Sequence, residues 1–345
     1  MLNRTVSQAR SFKQNPNHFP RKLNVRIYNA LSRTQPKYPL PKTPKRILIQ
    51  CQEKIGDGIL VFPLLHGLNK IFPNLNIDLL CSKHNRSIFK RLPYVKKLFI
   101  YKNGKKLWKD LASNKYDLFY NTKDHPSITS FKIAKHVNAK VKVCISNIRH
   151  NQHYNYALKN SNVKTILEKN ALLLKEYDQS IKIKSWLDLS GNQSKNNDVC
   201  INISAGSPYR EWSLKKWIDL INMIFINDKS TKINIIAMNK DQDKINLIKK
   251  KIGYPMNFYS NFNNILDSVR ILSKSKVLIS PDTAMIHLAD AAKIKILGLY
   301  SADNLNVEKY SPLFSKYKIL QSDSLRLKNI ETEKVFIEYR KLIME

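Results

Sequence analysis

RILIQCQEKIGDGILVFPLLHGLNKIFPNLNIDLL, residues 46–80, is the stretch from which the fold can be read. Its opening RILIQC (46–51) is an apolar run of strand length, and EKIGDG supplies a turn. ILVFPLLHGLNKIF (59–72) then spaces its apolar residues with helical periodicity, and after Pro73 a second strand-like run, NIDLLC (76–81), follows at once. Strand, short loop, helix and strand in that order make a βαβ unit, because parallel neighbours need a crossover long enough to hold a helix.

The same alternation continues outward. VKKLFIY (95–101), YDLFYN (116–121) and VKVCIS (141–146) are further strand candidates, and VKTILEKNALLLKEY (163–177) reads as a longer helix closing this half. DLSGNQSKNND (188–198) is polar and poor in large apolar groups, as a linker or hinge would be. The pattern then restarts: strands VCINIS (199–204), KINIIAM (232–238), MNFYS (256–260), VLIS (277–280) and KILGLY (295–300) alternate with helices at 214–227, 241–252, 263–274 and 283–292. The expected organisation is α/β: a basic extension over 1–44, a Rossmann-like domain over 45–187, a second over 198–325 and a terminal helix over 326–345.

A chain of 345 residues, 43% of them hydrophobic, is long and apolar enough to bury two cores. No run approaches the ~20 apolar residues of a membrane-spanning helix, and the basic N-terminus is not followed by the apolar stretch of a signal peptide, so the protein is expected in the cytoplasm. Cys51, Cys81, Cys144 and Cys200 sit apart in or beside apolar runs, without CxxC or zinc-site spacing, and read as reduced thiols. The net charge of +34 draws anionic partners, a membrane surface ahead of nucleic acid. The competing reading is compositional, since Lys, Asn and Ile recur in every segment. Within the extension, RKLNVRIYNALSR (21–33) would place Leu23, Ile27, Ala30 and Leu31 on one side of a short basic helix, either a foot on a membrane surface or a helix packed on the body.

In an open parallel sheet the ligand lies beyond the carboxyl ends of the strands, where loops lead into helix N-termini. Three such joins carry unusual residues. In EKIGDGIL (53–60), Gly56 and Gly58 would let the backbone turn tightly and approach a ligand, and Asp57 between them either caps the helix or faces the cleft. In ISAGSPYREW (203–212), the small residues Ser204, Ala205, Gly206 and Ser207 leave amides and hydroxyls open. Arg210 there either grips a phosphate or is the solvated arginine of a surface loop, and Trp212 reads as a core anchor. In LISPDTAMIHLADAA (278–292), a buried strand delivers Asp282, Thr283 and Ala284 to the first turn of a helix, whose N–H groups and dipole favour an anion. Asp282 alone would be an N-cap and His287 alone a half-buried histidine; together with Thr283 and Ala284 they suggest a phosphate cradle. DQD (241–243) matches a metal-binding DxD, but it opens a helix, and one of its carboxylates bonding ribose hydroxyls is the better reading. Neither GxGxxG nor GxxxxGK[ST] occurs, which argues against a nicotinamide-dependent oxidoreductase, and no nucleic-acid-binding signature accounts for the charge.

These joins, in this order, resemble glycosyltransferase family 9, the ADP-heptose:lipopolysaccharide heptosyltransferases. Residues 46–80 are similar to that family's opening strand, IGD turn, P-L-L...L-K...F-P helix and second strand, and residues 202–212 to its phosphate-gripping loop ending in a basic residue and Trp. ISPDTAMIHLADAAKIKILGLYSADN (279–304) is similar to its D-T-G-x-x-H-L-A-A-A signature and the G-x-T-x-P loop after it. The resemblance runs from about residue 45 to 325 and implies a GT-B fold, two Rossmann-like parallel-sheet domains facing a central cleft. In such a fold the acceptor binds the first domain and the nucleotide sugar the second, and TEKVFIEYRKLIM would be a helix crossing back.

The resemblance also implies roles. Asp57 would be the general base of an inverting transfer, Arg210 a phosphate ligand and Asp241 the ribose contact. Thr283, Ala284 and His287 would lie around the pyrophosphate, with Ser204, Gly206, Ser207 and Asp282 in the same donor site and neither metal nor cofactor required. The implied donor is ADP-heptose and the implied acceptor an anionic glycolipid of the lipopolysaccharide core, at the cytoplasmic surface of the inner membrane of a Gram-negative bacterium. Specific nucleic acid is not an implied partner. Ala284 stands where the family has Gly, which permits close approach only with helical backbone angles, and Ala237 and Met238 replace glycines after the INIIAM strand. The competing readings are another nucleotide-sugar donor, a degenerate transferase that binds without turnover, and a non-catalytic basic nucleic-acid-binding protein.

Overall fold

The computed structural model describes residues 18–187 and 198–345. Residues 1–17 of the basic extension and all of the expected linker except Asp198 lie outside the described residues. The chain divides into two compact units, each built on a six-stranded parallel sheet. The first sheet holds β1 (Arg46–Cys51), β2 (Asn76–Cys81), β3 (Val95–Ile100), β4 (Lys115–Asn121), β5 (Asn138–Ile145) and β6 (Tyr156–Leu158), in the order β3-β2-β1-β4-β5-β6. The second holds β7 (Asp198–Asn202), β8 (Ile233–Ile236), β9 (Asn257–Tyr259), β10 (Ser275–Pro281), β11 (Lys295–Tyr300) and β12 (Tyr317–Gln321), in the order β9-β8-β7-β10-β11-β12. Both sheets therefore wind the same way. Each reverses direction between its first and fourth strands, at β1/β4 and at β7/β10, which is where such sheets open a crevice for ligands.

Burial explains why the central strands are mostly apolar. Helices cover both faces of a parallel sheet, so inward and outward side chains alike leave water. Ile47, Leu48 and Ile49 of β1 are fully buried, as are Val277, Leu278 and Ile279 of β10, and β1 pairs with β2 in the register Ile47↔Ile77 and Ile49↔Leu79. The edge strands β6 and β12 were not expected. In β12 only Leu320 is buried, so Tyr317–Gln321 never produces a continuous apolar run.

Several helices differ from expectation for local reasons. The helix read over 59–72 is two, Ile55–Ile59 and Phe62–Ile71, because Pro63 has no N–H to donate and its ring excludes the carbonyl one turn back. The 163–177 helix breaks into Ile166–Asn170 and Leu172–Tyr177, and the Tyr120 hydroxyl sits at the break, donating to the carbonyls of Lys169 (3.1 Å) and Asn170 (3.2 Å). Residues 265–272 form a 3-10 turn, Ile265–Ser268, and one short helix, Val269–Leu272, in place of a helix over 263–274. Gly67 is required by packing, since a Cβ there would stand 2.4 Å from Leu174 Cδ1.

The structure draws the units differently from the sequence at two places. The terminal helix, Thr332–Met344, belongs to the second unit, where Val335, Tyr339 and Leu342 are buried in one cluster with Trp217, Leu220, Ile221 and Ile224. Residues Lys54–His66, placed by sequence in the first domain, also belong to the second unit, because the helix Ile55–Ile59 packs against the helix Ala284–Ala291. All four cysteines are buried free thiols, and burial pushes the pKa of each upward. No described helix is long and apolar enough to cross a membrane.

The helix Ala284–Ala291 ends without glycine. Ile294 N donates to Ala289 O (3.2 Å) and Lys293 N to Asp290 O (3.0 Å), with Lys293 at φ 54°, so the last carbonyls are satisfied by a Schellman turn. Asp290 on this helix is buried and accepts the N–H groups of Leu313 (2.9 Å), Phe314 (2.8 Å) and Ser315 (2.9 Å), which fixes the loop entering β12. Burial pushes its carboxyl pKa up, and the three N–H donors act against that shift. Asp290→Ala strands all three donors and is expected to destabilise the protein by about 3 kcal/mol, read as a lower urea midpoint with unchanged slope. A midpoint within error of wild type would mean that water replaces the carboxylate.

Candidate active site

The loops after β7 and β10 meet at the switch point of the second sheet. Asn202, the last residue of β7, donates its side-chain amide to Ser280 Oγ (2.9 Å) and Thr283 Oγ1 (3.1 Å), and its Oδ1 accepts the N–H of Ser204 (3.2 Å). One buried amide thus ties both loops together. Thr283, not Asp282, is the N-cap of the helix Ala284–Ala291: its Oγ1 accepts from Met285 N (3.3 Å), and Ala284 begins the helix. The helical start expected for Ala284 is what the structure shows.

Asp282 has a different task. Its carboxylate is buried and pairs with Arg210 Nη1 (3.2 Å), which also donates to the Asp282 carbonyl (3.0 Å), while Asn306 donates to the same carboxylate oxygen (2.6 Å). Burial pushes the pKa of Asp282 up, and Arg210 and Asn306 pull the other way. Both contacts run through Nη1, so Asp282 holds the guanidinium through one of its nitrogens. His287, one turn into the helix, is buried, and burial first and the Arg210 charge second push its pKa down to about 4. The imidazole is therefore neutral at pH 7.

Asp57 lies in the first turn of the helix Ile55–Ile59 and is half-buried. Its Oδ2 accepts the backbone N–H of Lys54 (3.3 Å), as a capping carboxylate would, and its Oδ1 accepts the hydroxyl of Tyr310 (3.1 Å). Gly56 lies against His287: a Cβ added there would meet His287 Cδ2 at 3.4 Å and Ala284 Cα at 3.7 Å. The carboxylate and the helix N-terminus at 283 and 284 thus sit on two helices packed together within one unit. The tight-turn reading of Gly56 and Gly58 is corrected, since both are helical and no described glycine lies in the left-handed region.

The remaining expected residues separate into two groups. Gly206 is exposed with open space around its Cα, and Ser207 is half-buried at the start of the turn carrying Arg210, so both leave backbone facing outward. Ser204 and Asp241 instead form a buried pair: the Ser204 hydroxyl donates to Asp241 Oδ2 (2.5 Å) and accepts from Met238 N (2.8 Å), while Lys244 pairs with Asp241 Oδ1 (2.9 Å). Burial would raise the Asp241 pKa, but the Ser204 and Lys244 contacts hold it below the ordinary carboxylate value. Asp241 is turned inward and Asp243 is exposed, so the two carboxylates of DQD do not converge. Trp212 is a core anchor, edge-on to Trp217 and donating to Ile330 O (2.9 Å).

The family's sequence model described as glycosyltransferase family 9 (heptosyltransferase) matches residues 105–339. The chain belongs to glycosyltransferase family 9. Among solved structures, E. coli heptosyltransferase WaaC with ADP superposes with a TM-score of 0.70 at 15% identity, over 87% of this chain and 100% of that one. E. coli ADP-heptose lps heptosyltransferase II gives 0.67 at 16% identity over 87% and 98%. The family 9 glycosyltransferase from Veillonella parvula DSM 2008 gives 0.66 at 15% over 87% and 97%. No curated protein matches the chain. The family 9 chain is thus a glycosyltransferase with the GT-B fold.

Sequence reasoning missed three residues that hold the candidate site together in this glycosyltransferase. Asn202 was hidden inside a strand-like run, although a polar side chain at the carboxyl end of a buried strand was a usable signal. Tyr310 and Asn306 lie on the helix Asn304–Tyr310, remote in sequence from the groups they hold.

Proposed function

We propose that this family 9 glycosyltransferase moves a heptose or related sugar from an ADP-sugar to an anionic glycolipid of the lipopolysaccharide core at the inner-membrane surface, with inversion and without a metal ion. The observation that carries the reading is the packing of the Asp57 helix against the helix Ala284–Ala291, which places a carboxylate and an anion-attracting helix N-terminus in one unit. Asp57 takes the proton of the acceptor hydroxyl as that oxygen attacks the anomeric carbon. The bond from that carbon to the diphosphate breaks, and its electron pair leaves with the nucleotide. Arg210 and the N–H groups at 283 and 284 meet the growing charge, and pre-aimed donors of this kind contribute about 3 kcal/mol each. His287, neutral and buried, adds no charge and shapes the floor beside Gly56. The similar E. coli WaaC has been solved with ADP and with ADP-2-deoxy-2-fluoro heptose, which supports an ADP-linked donor.

Calorimetric titration with ADP, UDP and GDP in the presence of EDTA tests the donor half. ADP is expected to bind selectively. Preference for another nucleotide would keep the reaction and change the donor, and binding that required a divalent cation would overturn the metal-free scheme.

A further inference from the structure

The described part of the basic extension carries an apolar stripe that the first unit does not cover. The helix His18–Ala30 docks by one face: Val25 is buried, the Tyr28 ring lies 5.6 Å from that of Phe131, and Asn29 Oδ1 bonds His153 Nε2 (2.8 Å). The packed-on-the-body reading of this helix therefore holds for that face. The face expected to be apolar points the other way. Leu23 and Ile27, one turn apart, are 47% and 50% exposed, and Leu31, whose N–H continues the helix to Ile27 O (3.1 Å), is 83% exposed. The Asn29 side chain also donates to Arg149 O (2.6 Å), which brings the end of the helix beside the loop after β5. At the tip of that loop Ile148 is 92% exposed.

Charge says what covers this stripe. Lys22, Arg26 and Arg33 are exposed along one flank of the Leu23–Ile27–Leu31 line at helical spacing, and exposed Arg149 adjoins Ile148. Residues 1–44 contain no Asp or Glu; the first acidic residue of the chain is Glu53. A second copy bearing +34 would be repelled from such a patch. Nucleic acid would satisfy the charges but gives four aliphatic side chains no apolar interior, and single-stranded binders present aromatic platforms. An anionic bilayer satisfies both requirements, with aliphatic side chains entering below the headgroups and basic ones reaching lipid phosphates.

We propose that Leu23, Ile27, Leu31 and Ile148, flanked by Lys22, Arg26, Arg33 and Arg149, form a foot that seats the first unit on an anionic membrane. Ile148 stands at the carboxyl edge of the first sheet, the edge where parallel sheets hold their ligands, so a lipid-linked acceptor bound there would keep its chains in the bilayer the foot touches. The foot deepens the proposed function by naming a partner surface, yet it rests on the patch and not on the sugar transferred.

Co-sedimentation of the full chain with vesicles tests it. Binding is expected to an equal mixture of phosphatidylcholine and phosphatidylglycerol and not to phosphatidylcholine alone. Combining Leu23→Asn, Ile27→Asn, Leu31→Asn and Ile148→Asn should weaken that binding at least about ten-fold, since each removes a side chain from the acyl region. Arg26→Gln and Arg33→Gln should each weaken it about five-fold. Ile148→Asn alone, in a loop, supplies a reading that helix unfolding cannot produce and should weaken binding by a smaller factor. Vesicles without glycolipid or nucleotide keep this outcome separate from that of the transferase reaction. Undiminished vesicle binding by the four-site variant would overturn the foot in favour of diffuse charge attraction. A wild-type dimer in sedimentation equilibrium that the same variant abolishes would overturn it in favour of an interface between copies.

Discussion

Asp57→Ala is expected to lower kcat by about 10²- to 10⁴-fold, the contribution of a positioned general base. The carboxylate is well held for that task. Lys54 N fixes one oxygen and the Tyr310 hydroxyl the other, both as donors to the ionised form. Nucleotide affinity should change little, because Arg210 and the N–H groups at 283 and 284 lie on other elements. The decisive comparison is therefore kcat, from initial rates with saturating donor and acceptor, against the calorimetric Kd for ADP in the same variant. A kcat within a few-fold of wild type would remove Asp57 from the proton transfer and return it to a helix cap. Asp57→Asn should behave like the alanine variant in rate while keeping an acceptor for Tyr310.

Arg210→Ala carries the second large effect. The side chain pairs with the buried carboxylate of Asp282 at 3.2 Å, and in the proposed scheme it also offers donors to the diphosphate. Removing it leaves Asp282 buried without that partner, beside the proposed phosphate position, so attraction there would become repulsion. A drop in kcat/KM of about 10²- to 10³-fold is expected, with ADP affinity falling in parallel. Arg210→Lys should recover little, since an ammonium cannot hold Asp282 and a phosphate in the same fork geometry. Unchanged ADP binding in Arg210→Ala would move the phosphate site away from 206–210. Asp282→Asn separates the two tasks, because it keeps the guanidinium and removes the charge that orients it.

Much of this was legible in the chain, for a definite reason. β1, β7 and β10 each carry a run of buried apolar residues, and in such a sheet the loops that follow the strands are where a ligand is faced. That logic singles out Asp57, Arg210 and the 282–287 stretch as candidates, and the resemblance to the family supplies their roles. What stayed hidden depends on pairing across the chain. The Ser204 hydroxyl looked available for a ligand, and only the fold shows that Asp241, far along the sequence, receives it. Pro63 was visible, yet the apolar periodicity ran through it and concealed the break. The amphipathic helix in the extension was legible as a helix, but which of its sides docks depends on Phe131 and His153, which no local pattern reveals.

The grouping of Lys54–His66 with the second unit bears on how members of this family could be recombined. A chimera cut at the apparent boundary near residue 187 would take the helix Ile55–Ile59 from one parent and its partner helix Ala284–Ala291 from the other, joining surfaces that were never fitted to each other. A graft that exchanges Met1–Glu53, Gly67–Val163 and Glu168–Ile181 but leaves Lys54–His66 with the parent that supplies the second unit keeps that fit. The exchangeable unit is then a discontinuous cassette, inserted around a short segment that belongs to its host.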